Sequence, residues 1–328
     1  MNTLCFSGGG IRGIAFAGAL SYLESINNIK LENINTFIGT SIGAVYATLL
    51  ALKYDITDII DFILHFNFEI LFPSINCDNI LQNYGLCNNK KIKITIEHFI
   101  KSKFEVNDLT FLELYNLTQN KLIITGADIT NAKVDYFNYI DNPDMSILTA
   151  IEITSAIPIL FNPVLYNNNY YVDAGFVNNY PMNYCNKNTT LGFHVKQIYF
   201  KIDSILSVIS ASISMTTACQ KYNNTIEIII NDISPLNFNI NYDQKLDLIN
   251  IGREAAKKYI EKNNIIIDNN KFIQTDNSTN DQSTQTDTIH NDDPTDVIQN
   301  DDSTVAIQND DSTIAIQNDG LTDMHNKV

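Results

Sequence analysis

Thr3-Leu4-Cys5-Phe6-Ser7-Gly8-Gly9-Gly10-Ile11-Arg12-Gly13 sets the architecture of this chain. Thr3–Ser7 reads as a short buried strand, and three consecutive glycines end it. From about Arg12 to Ser25, Ile14, Ala17, Gly18, Leu20 and Leu23 recur at helical spacing. The order then repeats. The apolar strand Ile34–Ile38 runs into Gly39-Thr40-Ser41-Ile42-Gly43, and a helix continues through Ala44, Ala47, Leu50 and Ala51. Two successive strand–turn–helix units predict a parallel sheet of the α/β class.

Beyond them, Thr57–Phe104 is mostly helical in pattern, with loops at Phe72–Asn79 and Gly85–Asn89. Leu122–Gly126 and Val134–Asn138 predict strands on either side of a turn. Met145–Ile153 predicts a helix that stops at Ser155-Ala156-Ile157-Pro158, and Tyr170–Val172 a short strand entering Asp173. Further strands are expected near Gly192–Val195, Ile198–Lys201 and Ile226–Ile230. Tyr242–Lys262 has the length and period of a closing helix.

Charge divides the 328 residues in two. Residues 268–328 hold 13 Asp, no Glu and two Lys, which is −11 of the net −16 and leaves −5 for residues 1–267. Asn291–Gln299, Asn300–Gln308 and Asn309–Gln317 are successive nine-residue units. They lack the paired glycines of calcium-binding β-rolls. Their composition predicts an acidic, low-complexity, disordered tail. The body carries no basic stripe, so nucleic acid is not an expected partner. Cys5, Cys77, Cys87, Cys185 and Cys219 are scattered without a C-x-x-C pair. That argues against a disulfide framework or a zinc site and predicts a reducing, cytoplasmic setting. No secretory signal opens the sequence, and no apolar run reaches the ~18 residues of a membrane span.

Gly8-x-Gly10-x-x-Gly13 after a strand also fits a dinucleotide fingerprint. That fold needs an acidic residue at the end of its second strand. Ile34–Ile38 ends instead in Gly39-Thr40-Ser41, and Glu32 precedes it. A phosphate-cradling loop fails as well, since no Gly-Lys-Ser/Thr follows. What remains for the glycine loop is an anion. Successive N–H groups of Gly9, Gly10 and Ile11 at the head of a helix can face a developing oxyanion. Arg12 suits either a phosphate head group or the loop's own carbonyls.

Gly39–Gly43 has the G-x-S-x-G form of a nucleophile elbow, in which small residues let a sharp turn expose a serine, here Ser41. Its base is the next question. His290 and His325 lie in the tail, His65 sits among Ile63, Phe66 and Phe68, and neither His98 nor His194 lies in a turn typical of a triad. Asp173, in Asp173-Ala174-Gly175, is the better candidate. A carboxylate can take the serine proton if the oxyanion loop carries the charge that develops. An aspartate in such a turn is also a common turn former.

These segments together resemble the patatin-like phospholipase family, lipid acyl hydrolases with a Ser–Asp dyad. Gly8–Gly13 matches the family's G-G-G-x-R/K-G motif, with Gly8, Gly9, Gly10, Ile11, Arg12 and Gly13 as its oxyanion segment. Gly39–Gly43 matches its G-x-S-x-G, with Gly39 and Gly43 flanking Ser41. Ser155–Pro158 with Phe161 and Pro163 resembles its S-x-A-x-P segment. Tyr171–Gly175 with Asn178–Pro181 resembles the segment that carries its aspartate. The likeness runs from about Leu4 to Pro181 and more loosely to Lys262. Ala174 stands where the family usually has glycine, and a positive φ there would add strain of about 1 kcal/mol.

The expected architecture is a three-layer α/β/α domain over residues 1–267 with a mainly parallel sheet, followed by the tail 268–328. The resemblance implies hydrolysis of phospholipid or lysophospholipid at a peripheral membrane surface. Ser41 would form the acyl-enzyme, Asp173 would serve as base and then acid, and no metal or cofactor is implied. Ile205, Val208, Ile209 and Ile213 share a helical face that either docks on lipid or packs on the sheet. A soluble carboxylesterase or thioesterase and a non-catalytic binding scaffold remain open alternatives.

Overall fold

The computed structural model describes residues 1–27, 29–71, 82–199, 202, 207–208, 211–212, 215 and 221–263, with the backbone of 304–309 and 312–317. Phe72–Asn79, Cys77, Cys219, Ile205, Ile209, Ile213, His290 and His325 lie outside them. Two compact units, Met1–Ile267 and Asp268–Val328, divide the chain.

The first unit follows the strand–turn–helix order of the sequence: β1 Thr3–Phe6, α1 Ile14–Ser25, β2 Thr36–Gly39, α2 Ile42–Ala51 and α3 Ile56–His65. A short β3, Gly85–Cys87, leads to α4 Lys90–Phe104 and α5 Phe111–Thr118. Next come β4 Lys121–Asp128, β5 Lys133–Phe137 and α6 Ile147–Thr154. Three short strands, β6 Ile159–Phe161, β7 Val164–Tyr166 and β8 Asn169–Val172, precede α7 Gly175–Asn178. β9 Thr190–Lys196, β10 Thr225–Ile229 and α8 Tyr242–Lys262 close the unit. The ends of α8 match its sequence signals, because Asn241 and Gln244 form a reciprocal capping box.

The main sheet runs β10-β9-β1-β2-β4-β8-β7, with β5 also on β4. Its five strands β10, β9, β1, β2 and β4 pair in parallel, and β5, β8 and β7 join antiparallel. Leu4, Cys5 and Phe6 of β1 and residues 190–195 of β9 are all buried, which requires cover on both faces. On one face Phe6 packs on Phe193, Phe16 of α1 and Tyr46 of α2, with ring centroids 4.9–6.0 Å apart. On the other, Cys5 and Ile38 pack on Tyr180 and Met182, at the 3-10 helix Pro181–Tyr184. The arrangement is the three-layer α/β/α fold with a mainly parallel sheet.

The structure adds the helix Phe111–Thr118 and the short strands β6 and β7, which the sequence does not announce, and differs from expectation at two further places. Gly85–Cys87, expected as loop, is a strand that pairs with β6. Ile198 and Tyr199, expected to open a strand, are loop. Their N–H groups are taken by the Asn231 side chain, at 2.9 and 3.4 Å, so they make no ladder bonds. In the second unit an antiparallel pair, β11 Thr304–Asn309 with β12 Ser312–Gln317, joins the second and third repeats.

Candidate active site

Parallel strands deliver their following loops to one edge of the sheet, and two loops of interest arrive there in adjacent strands. β1 and β2 pair in register, Phe6 opposite Gly39, so the glycine loop and the Ser41 turn emerge side by side. Ser41 adopts φ 56° and ψ −127°. For a residue with a Cβ such a conformation costs roughly 1–3 kcal/mol, and the surrounding contacts must hold it. They do. The Ser41 N–H donates to Thr154 Oγ1 at 2.9 Å, and below it Thr125 Oγ1 donates to Thr40 Oγ1 at 2.8 Å. The turn is also tightly shut, since a Cβ on Gly43 would lie 2.5 Å from the Phe6 carbonyl oxygen.

Asp173 comes from the end of β8. Its N–H donates to the Ala156 carbonyl at 2.9 Å, and its Oδ1 accepts the Gly175 N–H at 2.7 Å. The Ser41 side chain lies beside this carboxyl and favours its charged form. The fold thus brings the two candidate residues together at one edge of the sheet. Ala174 has φ −68°, so alanine in place of the family's usual glycine brings no strain.

Burial pushes the Asp173 carboxyl up to about 7, against the bonds from Ser41 and Gly175, which favour the charged form. Two pH effects follow. A base works ionised, so kcat/KM should rise with pH through one ionisation near 7 and then level off. Stability should move the other way. Between the ordinary aspartate value near 4 and the folded value near 7, the unfolded chain has lost its proton and the folded chain keeps it. The folded state therefore loses on the order of a few kcal/mol across that window and no more above it. Urea titrations of wild type and Asp173→Asn at several pH values test this, because their stability difference should shift in favour of the variant from pH ~4 to ~7. An unchanged difference would mean that Asp173 is not held neutral.

The glycine loop carries fewer free donors than its motif suggests. Gly8 N–H donates to the Asn179 carbonyl and Ile11 N–H to the Pro235 carbonyl, each at 2.9 Å. Neither Gly8 nor Ile11 is thus an available oxyanion donor, which corrects the wider assignment. The N–H groups of Gly9 and Gly10 meet no acceptor among the described residues. Gly10 stands at φ +56°, which glycine adopts without penalty. Gly8 faces the serine, for a Cβ there would sit 3.3 Å from Ser41 Cβ. Gly13 packs against Ile42.

Arg12 is buried, and burial alone lowers its pKa to about 10. Its Nε donates to the Gly9 carbonyl at 3.3 Å and its Nη1 to Gln197 Oε1 at 2.8 Å. In a trans peptide the Gly9 carbonyl and the Gly10 N–H point in opposite directions. By holding the carbonyl, Arg12 fixes the aim of the Gly10 N–H. This burial and bonding favour the role of holding the loop's own carbonyls.

The described histidines stand elsewhere. His65 is exposed and bonds Asp61 within α3, and His98 Nδ1 lies 2.7 Å from the Ile94 carbonyl within α4. His194 is buried, stacked 4.5 Å from Tyr180, and desolvation lowers its pKa to about 3. Replacing each histidine singly should leave kcat within about tenfold of wild type, far from the loss of a triad member. A collapse at any one of them, in folded protein, would reassign the base. Among the described residues no three His, Cys, Asp or Glu side chains converge to hold a metal ion.

Thr154, Gln197 and Pro235 belong to the site's framework and carry no motif of their own. An apolar cavity is lined by Ser41 and Gly10 and runs along the Ile42, Val45, Tyr46 and Leu49 face of α2. Phe62, Phe66 and Phe99 also line it. Their rings form a continuous wall, with Phe62 at 4.6 Å from Phe66 and 4.8 Å from Phe99.

The fold and these converging groups define a hydrolase. The family model for patatin-like phospholipases matches residues 4–185, more than half of the chain, and the chain belongs to that family. It is 33% identical over 273 residues to the probable lipid hydrolase 463L of Invertebrate iridescent virus 6, covering 80% of this chain and 90% of that protein. It is 27% identical over 285 residues to protein R571 of Acanthamoeba polyphaga mimivirus, covering 80% and 94%. Among solved structures, VipD from Legionella pneumophila matches with a TM-score of 0.54 at 15% identity, over 80% of this chain and 67% of that one. That likeness shows a shared fold.

Proposed function

We propose that this chain is a lipid acyl hydrolase of phospholipase A or lysophospholipase type that works through a Ser41–Asp173 dyad. The observation that carries the reading is the apolar cavity, whose lining joins Ser41 to an aromatic wall. A fatty-acyl chain fits such a lining, and a short polar acyl group would gain nothing from it.

In the forward step Ser41 Oγ bonds to the ester carbonyl carbon and its proton passes to Asp173. Gly9 and Gly10 N–H groups hold the oxyanion. Collapse breaks the ester C–O bond, and Asp173 returns the proton to the leaving alcohol. Water then attacks the acyl-enzyme, gives its proton to Asp173, and the fatty acid leaves as Ser41 recovers that proton. The carboxyl's upward shift by burial supports this shuttle, because a base near 7 both accepts and returns a proton at neutral pH.

The lining residues Ile42 to Leu49 span ~10 Å at 1.5 Å per residue, the length of about eight methylenes. Each buried methylene contributes about 0.8 kcal/mol, or roughly fourfold in affinity. Across p-nitrophenyl esters of rising chain length, kcat/KM should therefore climb steeply and flatten once the chain passes the length of the α2 face. Val45→Trp should abolish the climb and spare the acetyl ester. A flat series in wild type would overturn the fatty-acyl assignment. A rate step as lipid passes from monomers to micelles favours the lipase over a soluble esterase.

A further inference from the structure

From Ile153 to Asn186 the chain carries a single charged residue, Asp173, although 18% of all residues are charged and about six would be expected. The segments that fold against this stretch, 82–89 and 129–132, carry none. This uncharged run also exposes large apolar side chains. Tyr84 is 66% exposed, Leu165 60%, Ile159 43% and Tyr170 41%. The four are contiguous. Leu165 and Tyr170 are cross-strand partners on β7 and β8, and the Tyr170 ring lies 6.4 Å from that of Tyr84. Gly85, next to Tyr84, pairs with Ile159 across β3 and β6.

Ile159 has a second peculiarity. It stands at φ 72°, a left-handed conformation that is a true outlier for a β-branched residue. It occupies the tip of a tight turn in which the Phe161 N–H donates to the Ile157 carbonyl at 2.8 Å. Ile157 and Phe161 turn inward and line the same cavity as Ser41, while Ile159 between them is held outward. Strain that keeps a large aliphatic group in solvent serves neither packing nor solubility, and it places this face beside the cavity.

We propose that the face formed by Tyr84, Ile159, Leu165 and Tyr170 is the surface by which the chain docks on a neutral, zwitterionic lipid interface. Apolar side chains with tyrosine hydroxyls at their margin suit the boundary between acyl chains and head groups. The absence of lysine and arginine across the three segments means that anionic lipid is not the attraction. The proposal rests on the lipid-hydrolase reading for its purpose, because docking there brings the acyl cavity to the source of its substrate.

The test uses the full chain with sucrose-loaded phosphatidylcholine vesicles, sedimented at low and high salt. Wild type should co-sediment equally at both, since there are no ion pairs to screen. Leu165→Asp/Tyr170→Asp should lower the partition coefficient at least tenfold, while fluorophosphonate labelling and hydrolysis of a soluble short-chain ester stay at the wild-type level. The chain has no tryptophan, so Leu165→Trp supplies a unique reporter whose emission should shift to the blue on the same vesicles. Leu117→Trp, exposed on α5 outside this face, should not shift. Unchanged vesicle binding by the double variant, no shift at Leu165→Trp, or binding by wild type that needs anionic lipid and fades with salt would overturn the proposal. Loss of vesicle binding on substitution in a protein that takes no fluorophosphonate would uphold the docking face and count against the hydrolase chemistry alone.

Discussion

Asp173→Asn and Ser41→Ala are each expected to lower kcat on a long-chain acyl ester by roughly a thousandfold or more, with the fold intact. The reason is the placing of the two side chains beside each other. The carboxyl beside Ser41 is buried, has no histidine near it among the described residues, and is pushed by burial up to about 7. Asparagine keeps the volume and can still accept the Gly175 N–H through its Oδ1, yet it cannot take a proton. It also spares the folded state a buried charge, so the melting temperature of Asp173→Asn at pH 8 should equal or exceed that of wild type. Loss of both activity and folding would leave the role of Asp173 open to a structural reading, which is why the melt accompanies the kinetics. If Asp173→Asn keeps more than a small fraction of kcat, Asp173 is not the base.

The second large effect is expected at Gly10. Alanine there must adopt φ +56°, at a cost of about 1 kcal/mol. Its methyl would also meet the Pro235 carbonyl oxygen at 2.0 Å. That carbonyl cannot swing away cheaply, because it accepts the Ile11 N–H. The loop must shift instead, and the Gly9 and Gly10 N–H groups leave their positions. Removing one oxyanion donor typically lowers kcat by about 100- to 1000-fold. Gly10→Ala should therefore lose activity on that scale with KM little changed, and the melting temperature should fall by a few degrees. If activity survives in folded protein, the oxyanion is held elsewhere.

How much of this can be read in the sequence depends on how many residue types a geometry admits. The turn at Gly39–Gly43 is legible because a Cβ at Gly43 would strike the strand behind it, and the loop at Gly10 because it needs a left-handed backbone. The order of strands and helices through residue 51 is legible from periodicity alone. Framework contacts are not. Thr154 holds the Ser41 N–H across 113 residues, and Pro235 holds the loop from beyond β10. Either position admits other residues in other folds, so neither announces itself. The strands β6 and β7 are three residues each and flanked by Pro158 and Pro163, too short for a period to show. Ile11 looks like a donor by its place in the motif and is spent on Pro235 in the fold, an outcome that only the tertiary structure decides.

Covalent capture reports whether Ser41 is an activated nucleophile. The full chain is treated with a fluorophosphonate, digested, and the modified residue mapped by mass spectrometry. The prediction is one phosphonyl group on the peptide containing Ser41, absent from Ser41→Ala and formed far more slowly in Asp173→Asn. Protein that is folded by its melting curve yet takes no label at Ser41, or takes it on another residue, would contradict the account.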